Sequence, residues 1–158
     1  MESRIDFRRH AQEAQKAMFA LEQYIGACGL DHKLIHLIKM RASQINGCAY
    51  CLDMHSKDAR AIGETEQRLY ALNAWRETPF YSDKERAALA WIESLTLVSE
   101  THVPDSDYEE VRKYFNEKET VDLTIVAMTI NAWNRLCISL RAVPGHYRPA
   151  NSTAAAAV

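Results

Sequence analysis

The residues of this chain with the clearest chemistry lie in one short segment, Asn46-Gly-Cys-Ala-Tyr-Cys-Leu-Asp-Met-His55. At about 100° per residue, Cys48, Cys51 and His55 fall within about 60° of one another around a helix. Both sulfurs and the imidazole therefore share one face if the segment is helical. A thiol pair beside a titratable ring is typical of redox or metal-binding chemistry.

Two features of this segment favour ionised sulfur. Asn46-Gly47 places Cys48 in the first turn of a helix, where free amides and the helix dipole favour thiolate over thiol. Cys51 has His55 four residues downstream, close enough to take its proton directly or through water. The dipole favours Cys48 as the attacking sulfur and proximity to the imidazole favours Cys51, so the spacing leaves both assignments open.

A dithiol of this kind can reduce a peroxide in a cycle. A thiolate attacks a peroxide oxygen and becomes a sulfenic acid. A second thiol one turn away condenses with the sulfenic acid to form a disulfide, which an external dithiol then reduces. The Cys-x-x-Cys-x-x-x-His spacing therefore predicts a thiol-dependent peroxidase for hydrogen peroxide or alkyl hydroperoxides that uses no bound cofactor.

Three segments of the chain resemble one family. The stretch Leu37-Ile-Lys-Met-Arg-Ala-Ser-Gln-Ile-Asn-Gly-Cys-Ala-Tyr-Cys-Leu-Asp-Met-His55 closely resembles the alkylhydroperoxidase D (AhpD)-like branch of the carboxymuconolactone decarboxylase family. Ser82-Asp-Lys-Glu-Arg-Ala-Ala-Leu-Ala-Trp91 and Ile130-Asn-Ala-Trp-Asn-Arg135 also resemble that branch, and the resemblance covers roughly residues 5 to 145. It implies an all-α fold, a symmetric oligomer and disulfide-cycling peroxide reduction supplied by a dihydrolipoyl-type or thioredoxin-like dithiol.

The resemblance also implies roles for individual residues. Cys51 attacks the peroxide, Cys48 resolves the intermediate and His55 belongs to a proton relay. The family's relay usually includes a glutamate twelve residues before the first cysteine, where this chain has His36. A histidine carries protons near neutral pH but supplies no fixed negative charge. The family motif often also has a histidine inside the cysteine pair, where this chain has Tyr50.

The elements that position these residues are predicted to be helices. Only five Gly and four Pro occur, and helical spacing of apolar residues runs through nearly the whole chain. We predict one all-α domain of six or seven helices at residues 1–148 and a mobile tail at residues 149–158. The first helix is expected from Phe7 to Ala27. The last is expected from Thr120 to Leu140 and, being apolar on nearly all sides, at the domain centre or a subunit interface.

Two helix starts are marked by the spacing of a capping box. Ser82 with Glu85, and Ser106 with Glu109, each place a hydroxyl and a carboxylate three residues apart. In such a box the hydroxyl accepts from the third helical amide while the carboxylate accepts from the capping residue's own amide. We expect one helix to begin at each box.

Several polar and sulfur-containing residues lie in apolar surroundings away from the motif. Cys28 and Cys137 are interpreted as small buried hydrophobes. Asn131, Asn134 and Arg135 form a polar stripe on the otherwise apolar last helix. Because buried polar groups need partners, we expect this stripe to bond backbone carbonyls, the site or a neighbouring subunit.

Composition restricts the partners of the protein. The chain has 19 basic and 21 acidic residues without a basic block, which argues against nucleic acid or an anionic membrane as a partner. The N-terminus lacks the apolar core of a signal peptide, and the most apolar stretch, Leu123 to Ile130, is too short to span a bilayer. We therefore expect a cytoplasmic protein, and we expect it to assemble as a homotrimer or homohexamer.

Three other functions compete with the peroxidase. A zinc protein could use a Cys₂His₂ set, since the motif and its surroundings offer four ligands: His36, Cys48, Cys51 and His55. A carbon–carbon lyase or decarboxylase of the same superfamily would not depend on a cysteine pair, so the motif counts against it. A redox sensor would use the same disulfide without turnover.

Overall fold

The structure is a computed structural model that describes residues 1–149, and every regular element within that range is helical. The all-α prediction is confirmed. Seven helices have six residues or more, as predicted, and two four-residue helices bring the number in the described range to nine. The helices are α1 (Phe7–His10), α2 (Gln12–Ala27), α3 (His32–Asn46), α4 (Ala49–Ala61), α5 (Glu66–Ala71), α6 (Asp83–Thr96), α7 (Val98–Thr101), α8 (Asp105–Arg112) and α9 (Glu117–Leu140), with a 3₁₀ helix at Leu72–Glu77.

The predicted domain boundary falls at the end of the described range. Of the predicted tail at residues 149–158, Pro149 alone is described, and the other tail residues lie outside the described part of the chain. The described range therefore contains the whole predicted domain of residues 1–148.

Helix α3 is the central element beneath the cysteine motif. It begins after Asp31, whose carboxylate accepts from the Leu34 amide at 3.0 Å, and it packs against α4, α6 and α9. It ends at Gly47, whose φ of +70° lies in the left-handed region that favours glycine. The Cys48 amide then donates to the Ser43 carbonyl at 2.9 Å, which fixes the turn into α4.

Helix α9 is long and apolar because it forms a large part of the core. By length and composition it could cross a membrane, but ten of its residues are buried in the described bundle. It begins at Glu117, earlier than the predicted Thr120, because Asn116 and Glu119 form a capping box that the sequence analysis missed. It ends after Leu140, ahead of Pro144-Gly145, with Arg141 in the left-handed conformation.

Two further predicted helix boundaries differ from the structure. The helix expected from Phe7 to Ala27 is broken at Ala11 (φ −140°, ψ 51°), and the break places Phe7 edge-on to Trp133 at 6.0 Å between ring centroids. The Ser106 capping box does not form. Helix α8 begins two residues earlier with Pro104 as its N-cap, so the Ser106 hydroxyl lies inside the first turn and caps nothing.

The remaining capping box is confirmed. The Glu85 amide donates to the Ser82 hydroxyl at 3.3 Å, and the Ser82 amide donates to the Glu85 carboxylate at 2.8 Å. Glu85 also forms an ion pair with Arg68 of α5, which ties the start of α6 to the preceding helix. Local spacing is sufficient here because both partners lie within one turn.

Candidate active site

The two cysteines of the motif lie beside a third cysteine from α9. The sulfurs of Cys48, Cys51 and Cys137 are all within 4.8 Å of one another, and all three residues are buried. Cys48 is the N-cap of α4, Cys51 lies in the first turn of that helix, and Cys137 lies near the end of α9. The expectation that Cys137 is buried is therefore correct, but its interpretation as a mere hydrophobe omitted its contact with the motif.

Donors around Cys48 favour negative charge on this sulfur. They lower the pKa of Cys48 to about 3, because the Cys137 and Cys51 thiols, the Cys51 backbone amide and the Asn134 side chain all donate toward it. The same proximity and burial raise the pKa of Cys137 to about 12 and raise the pKa of Cys51 well above its ordinary value. In this cluster the negative charge at neutral pH is therefore favoured on Cys48 over Cys51 and Cys137.

A network of amide side chains contacts the thiol cluster through Asn134. The Asn46 side chain at the end of α3 donates to the side-chain oxygens of Asn131 at 2.9 Å and Asn134 at 2.8 Å. Asn134 in turn donates to the Ser43 hydroxyl at 3.0 Å, and Arg135 donates to the Asn131 carbonyl at 2.9 Å. The hydrogen-bonding role predicted for the polar stripe is confirmed, and these bonds fix α9 against α3 beside the sulfurs.

The predicted relay residues belong to a second group, separate from the three sulfurs. Potential ligand atoms of His36, His55 and Asp58 lie within 4.8 Å of one another, and the two imidazole centroids are 5.7 Å apart. Both ring nitrogens of His55 and the Nδ1 of His36 are buried without a hydrogen-bond partner among the described residues. The Asp58 carboxylate accepts from the Tyr147 hydroxyl at 2.7 Å.

Burial keeps both histidines neutral. Desolvation and the nearby Lys39 ammonium lower the pKa of His36 to about 4 and lower the pKa of His55 well below its ordinary value. Burial also raises the pKa of Asp58, although the Tyr147 hydroxyl opposes that shift. At neutral pH the two imidazoles therefore have free lone pairs and can accept a proton or a hydrogen bond.

A cavity of about 680 Å³ leads to these groups. Cys51 and Cys137 line it together with His36 and His55, whereas Cys48 is not part of its wall. Its apolar side includes Phe19, Trp133, Leu136 and Val143. A small molecule in this cavity therefore reaches Cys51 before it reaches Cys48.

An ion pair forms part of the cavity wall. The Lys39 ammonium, on α3, contacts the Glu22 carboxylate of α2, and the Trp133 indole N–H donates to the same carboxylate at 2.9 Å. Sequence reasoning did not identify this pair or Asp58. Helical spacing was the available signal, since Lys39 follows His36 by three residues and Asp58 follows His55 by three.

The four residues of the hypothetical zinc site do not form one ligand group. The motif sulfurs cluster with Cys137, and the imidazoles of His36 and His55 cluster with Asp58. Within residues 1–149, no group of three or more close ligand atoms combines a sulfur with an imidazole. The geometry therefore does not favour the Cys₂His₂ alternative.

Comparison with known proteins decides the family. The sequence model of the carboxymuconolactone decarboxylase family matches residues 12–94. The chain belongs to this family. Uncharacterized protein YdfG of Bacillus subtilis is 44% identical over 140 residues, which cover 89% of this chain and 95% of YdfG.

Solved structures of other proteins share the fold. One is a protein of unknown function from Agrobacterium tumefaciens that carries the description of an antioxidant defence protein AhpD. Its sequence is 42% identical and its TM-score is 0.89, and the aligned region covers 92% of this chain and 100% of that protein. An uncharacterized peroxidase-related protein from Silicibacter sp. TM1040 is 25% identical with a TM-score of 0.75, and the aligned region covers 85% of this chain and 71% of that protein. The similarity to the debrominase Bmp8 concerns only the fold, at 22% identity and a TM-score of 0.72, with 82% of this chain and 70% of Bmp8 aligned. The AhpD-like fold therefore includes peroxidase-related proteins and hosts more than one chemistry.

Proposed function

We propose that this protein is a thiol peroxidase that reduces hydrogen peroxide or alkyl hydroperoxides through Cys51 and Cys48. One observation carries the proposal: Cys51 lines the cavity, and the Cys48 sulfur, which does not line it, lies within 4.8 Å of the Cys51 sulfur. A peroxide in the cavity thus meets one thiol of the pair, while the other is within reach of the oxidised product. The similarity to proteins described in terms of peroxidase and antioxidant defence supports this reaction class.

The first step requires a thiolate at the cavity wall. Cys51 is a thiol at neutral pH, and it becomes the nucleophile when the unpartnered His55 imidazole takes its proton, directly or through water. The Cys51 sulfur then bonds to the terminal peroxide oxygen while the O–O bond breaks. Sulfur is oxidised by two electrons to a sulfenic acid, and the other oxygen takes the proton that His55 accepted from Cys51 and leaves as water or an alcohol.

His55 transfers that proton to the leaving oxygen. His55 is buried with both ring nitrogens unpartnered among the described residues, so it can bond a peroxide oxygen or a water in the cavity. His36 lacks the fixed charge of the family's usual glutamate, but Asp58 places a carboxylate beside both imidazoles. We infer that Asp58 takes the place of that glutamate in the relay.

The second step closes the cycle. The Cys48 thiolate attacks the sulfur of the Cys51 sulfenic acid, the S–O bond breaks, and a Cys48–Cys51 disulfide forms while the hydroxide takes a proton from solvent and leaves as water. An external dithiol of the dihydrolipoyl or thioredoxin-like kind then returns both sulfurs to thiols by exchange. Each turnover consumes one hydroperoxide and one dithiol, and it produces one alcohol or water from the peroxide, one further water and one oxidised donor.

Single-turnover peroxide consumption tests the proposal. The reduced protein and its Cys51→Ser, Cys48→Ser and Cys28→Ser variants are mixed with hydroperoxide in a stopped-flow instrument. Cys51→Ser should consume none, whereas Cys48→Ser should consume about one equivalent per chain. Cys28→Ser is the matched control, because Cys28 lies at the end of α2 outside the thiol cluster.

Two results would change the proposal. An inactive Cys48→Ser variant with an active Cys51→Ser variant would assign the attack to Cys48. Equal behaviour of the native protein and all three variants would exclude the peroxidase.

A further inference from the structure

The steps above leave one thiol of the cluster without a role. Cys137 lies on α9, and its sulfur is within 4.8 Å of both motif sulfurs. Like Cys51, and unlike Cys48, it lines the cavity. A sulfenic acid on Cys51 therefore has two other cysteine sulfurs within 4.8 Å, and the sulfur of Cys137 belongs to a residue that lines the cavity.

We propose that Cys137 is a second resolving cysteine, which forms a disulfide with Cys51 when Cys48 is unavailable. This inference rests on the proposed function, because the peroxide supplies the two oxidising equivalents. The Cys137 sulfur displaces the hydroxyl of the Cys51 sulfenic acid, the S–O bond breaks, and the hydroxyl leaves with the Cys137 proton as water. The products are one Cys51–Cys137 disulfide and one water.

The geometry allows this bond with a small movement. A disulfide joins sulfurs at about 2 Å, so these two sulfurs must approach each other by less than about 3 Å. Cys51 lies in the first turn of α4, and Cys137 lies three residues before the last residue of α9. Both residues are thus near helix ends, where a shift disturbs fewer backbone hydrogen bonds than in the middle of a helix.

The state of the sulfurs sets the order of the two reactions. Cys48 is held as a thiolate, whereas the raised pKa of Cys137, about 12, keeps it as a thiol. Because the thiolate is the attacking form, Cys48 resolves faster and Cys137 acts second. The Cys48 thiolate can afterwards attack Cys51 in the Cys51–Cys137 disulfide, so both routes end in the same Cys48–Cys51 bond.

Peptide mapping of the Cys48→Ser variant tests the inference. The reduced variant is treated with one equivalent of hydroperoxide in the presence of dimedone, digested without reductant and analysed by mass spectrometry. We expect a linked peptide that joins Cys51 to Cys137 as the main product and little dimedone adduct on Cys51. The double variant Cys48→Ser/Cys137→Ala should lose the linked peptide and carry the dimedone adduct instead. Cys48→Ser/Cys28→Ala should behave like Cys48→Ser.

The opposite product pattern overturns the inference. If Cys48→Ser consumes hydroperoxide but yields only the dimedone adduct, Cys137 does not resolve, while the peroxidase stands. Treatment with diamide, a two-electron thiol oxidant, separates the other failure. A Cys51–Cys137 peptide with diamide but no reaction with hydroperoxide would support the pairing of the two sulfurs and overturn the peroxidase.

Discussion

Replacing Glu22 with glutamine tests the ion pair in the cavity wall. The Lys39 side chain is 5% exposed, and the Glu22 carboxylate is the hydrogen-bond and ion-pair partner of its ammonium within the described residues. Glutamine keeps the shape of Glu22 and an oxygen that can accept from the Trp133 indole. Glu22→Gln therefore removes little more than the charge and leaves a buried ammonium without a counter-ion.

The expected loss of stability follows from the burial of the two partners. Removing one partner of a fully buried pair costs about 3–5 kcal/mol, because the remaining charge is desolvated and unpaired. The Glu22 side chain is 25% exposed, so water screens part of the interaction, and we expect a loss of about 2–4 kcal/mol. At a urea m-value of about 2 kcal/mol/M, the unfolding midpoint should fall by about 1–2 M.

Urea unfolding followed by circular dichroism, at pH 7 and a fixed protein concentration, measures this change. Glu13→Gln is the matched control, because Glu13 lies on the same helix and pairs with Lys16 at 2.8 Å on the open surface, so its midpoint should not move. Glu22→Gln/Lys39→Met should recover most of the loss, since the buried charge is then gone. Equal midpoints for Glu22→Gln and Glu13→Gln would refute the reasoning.

Two further predictions concern charge and assembly. The ultraviolet absorbance of thiolate should persist as the pH falls from 7 and disappear only near pH 3, because the pKa of Cys48 is about 3. The Cys48→Ser variant should lack this acidic titration. A titration midpoint at the ordinary alkaline value of a cysteine would contradict the charge assigned to Cys48. Light scattering should give the mass of a homotrimer or homohexamer, because α2 and α9 expose apolar side chains: Phe19, Leu21, Val121 and Met128. A stable monomer at micromolar concentration would contradict the predicted assembly.

The sequence by itself was sufficient where the interacting residues lie within about one turn of each other. The helix that has Cys48 as its N-cap and buries Cys51 and His55, and the turn at Gly47, follow from helical periodicity and glycine's access to positive φ. The Ser82 capping box is equally local. At Ser106 the capping-box spacing predicted the wrong N-cap, because the neighbouring Pro104 is the N-cap of α8.

Tertiary structure decided which distant residues join the motif and which of them carry charge. Cys137 and Asn134 reach Cys48 only because α9 packs against α3 and α4, and no spacing rule relates positions so far apart in the chain. Protonation depends on the same packing. Burial and the donors assembled by three helices place the negative charge on Cys48 and keep His55 neutral, and neither burial nor long-range hydrogen bonding can be obtained from the order of residues in one helix.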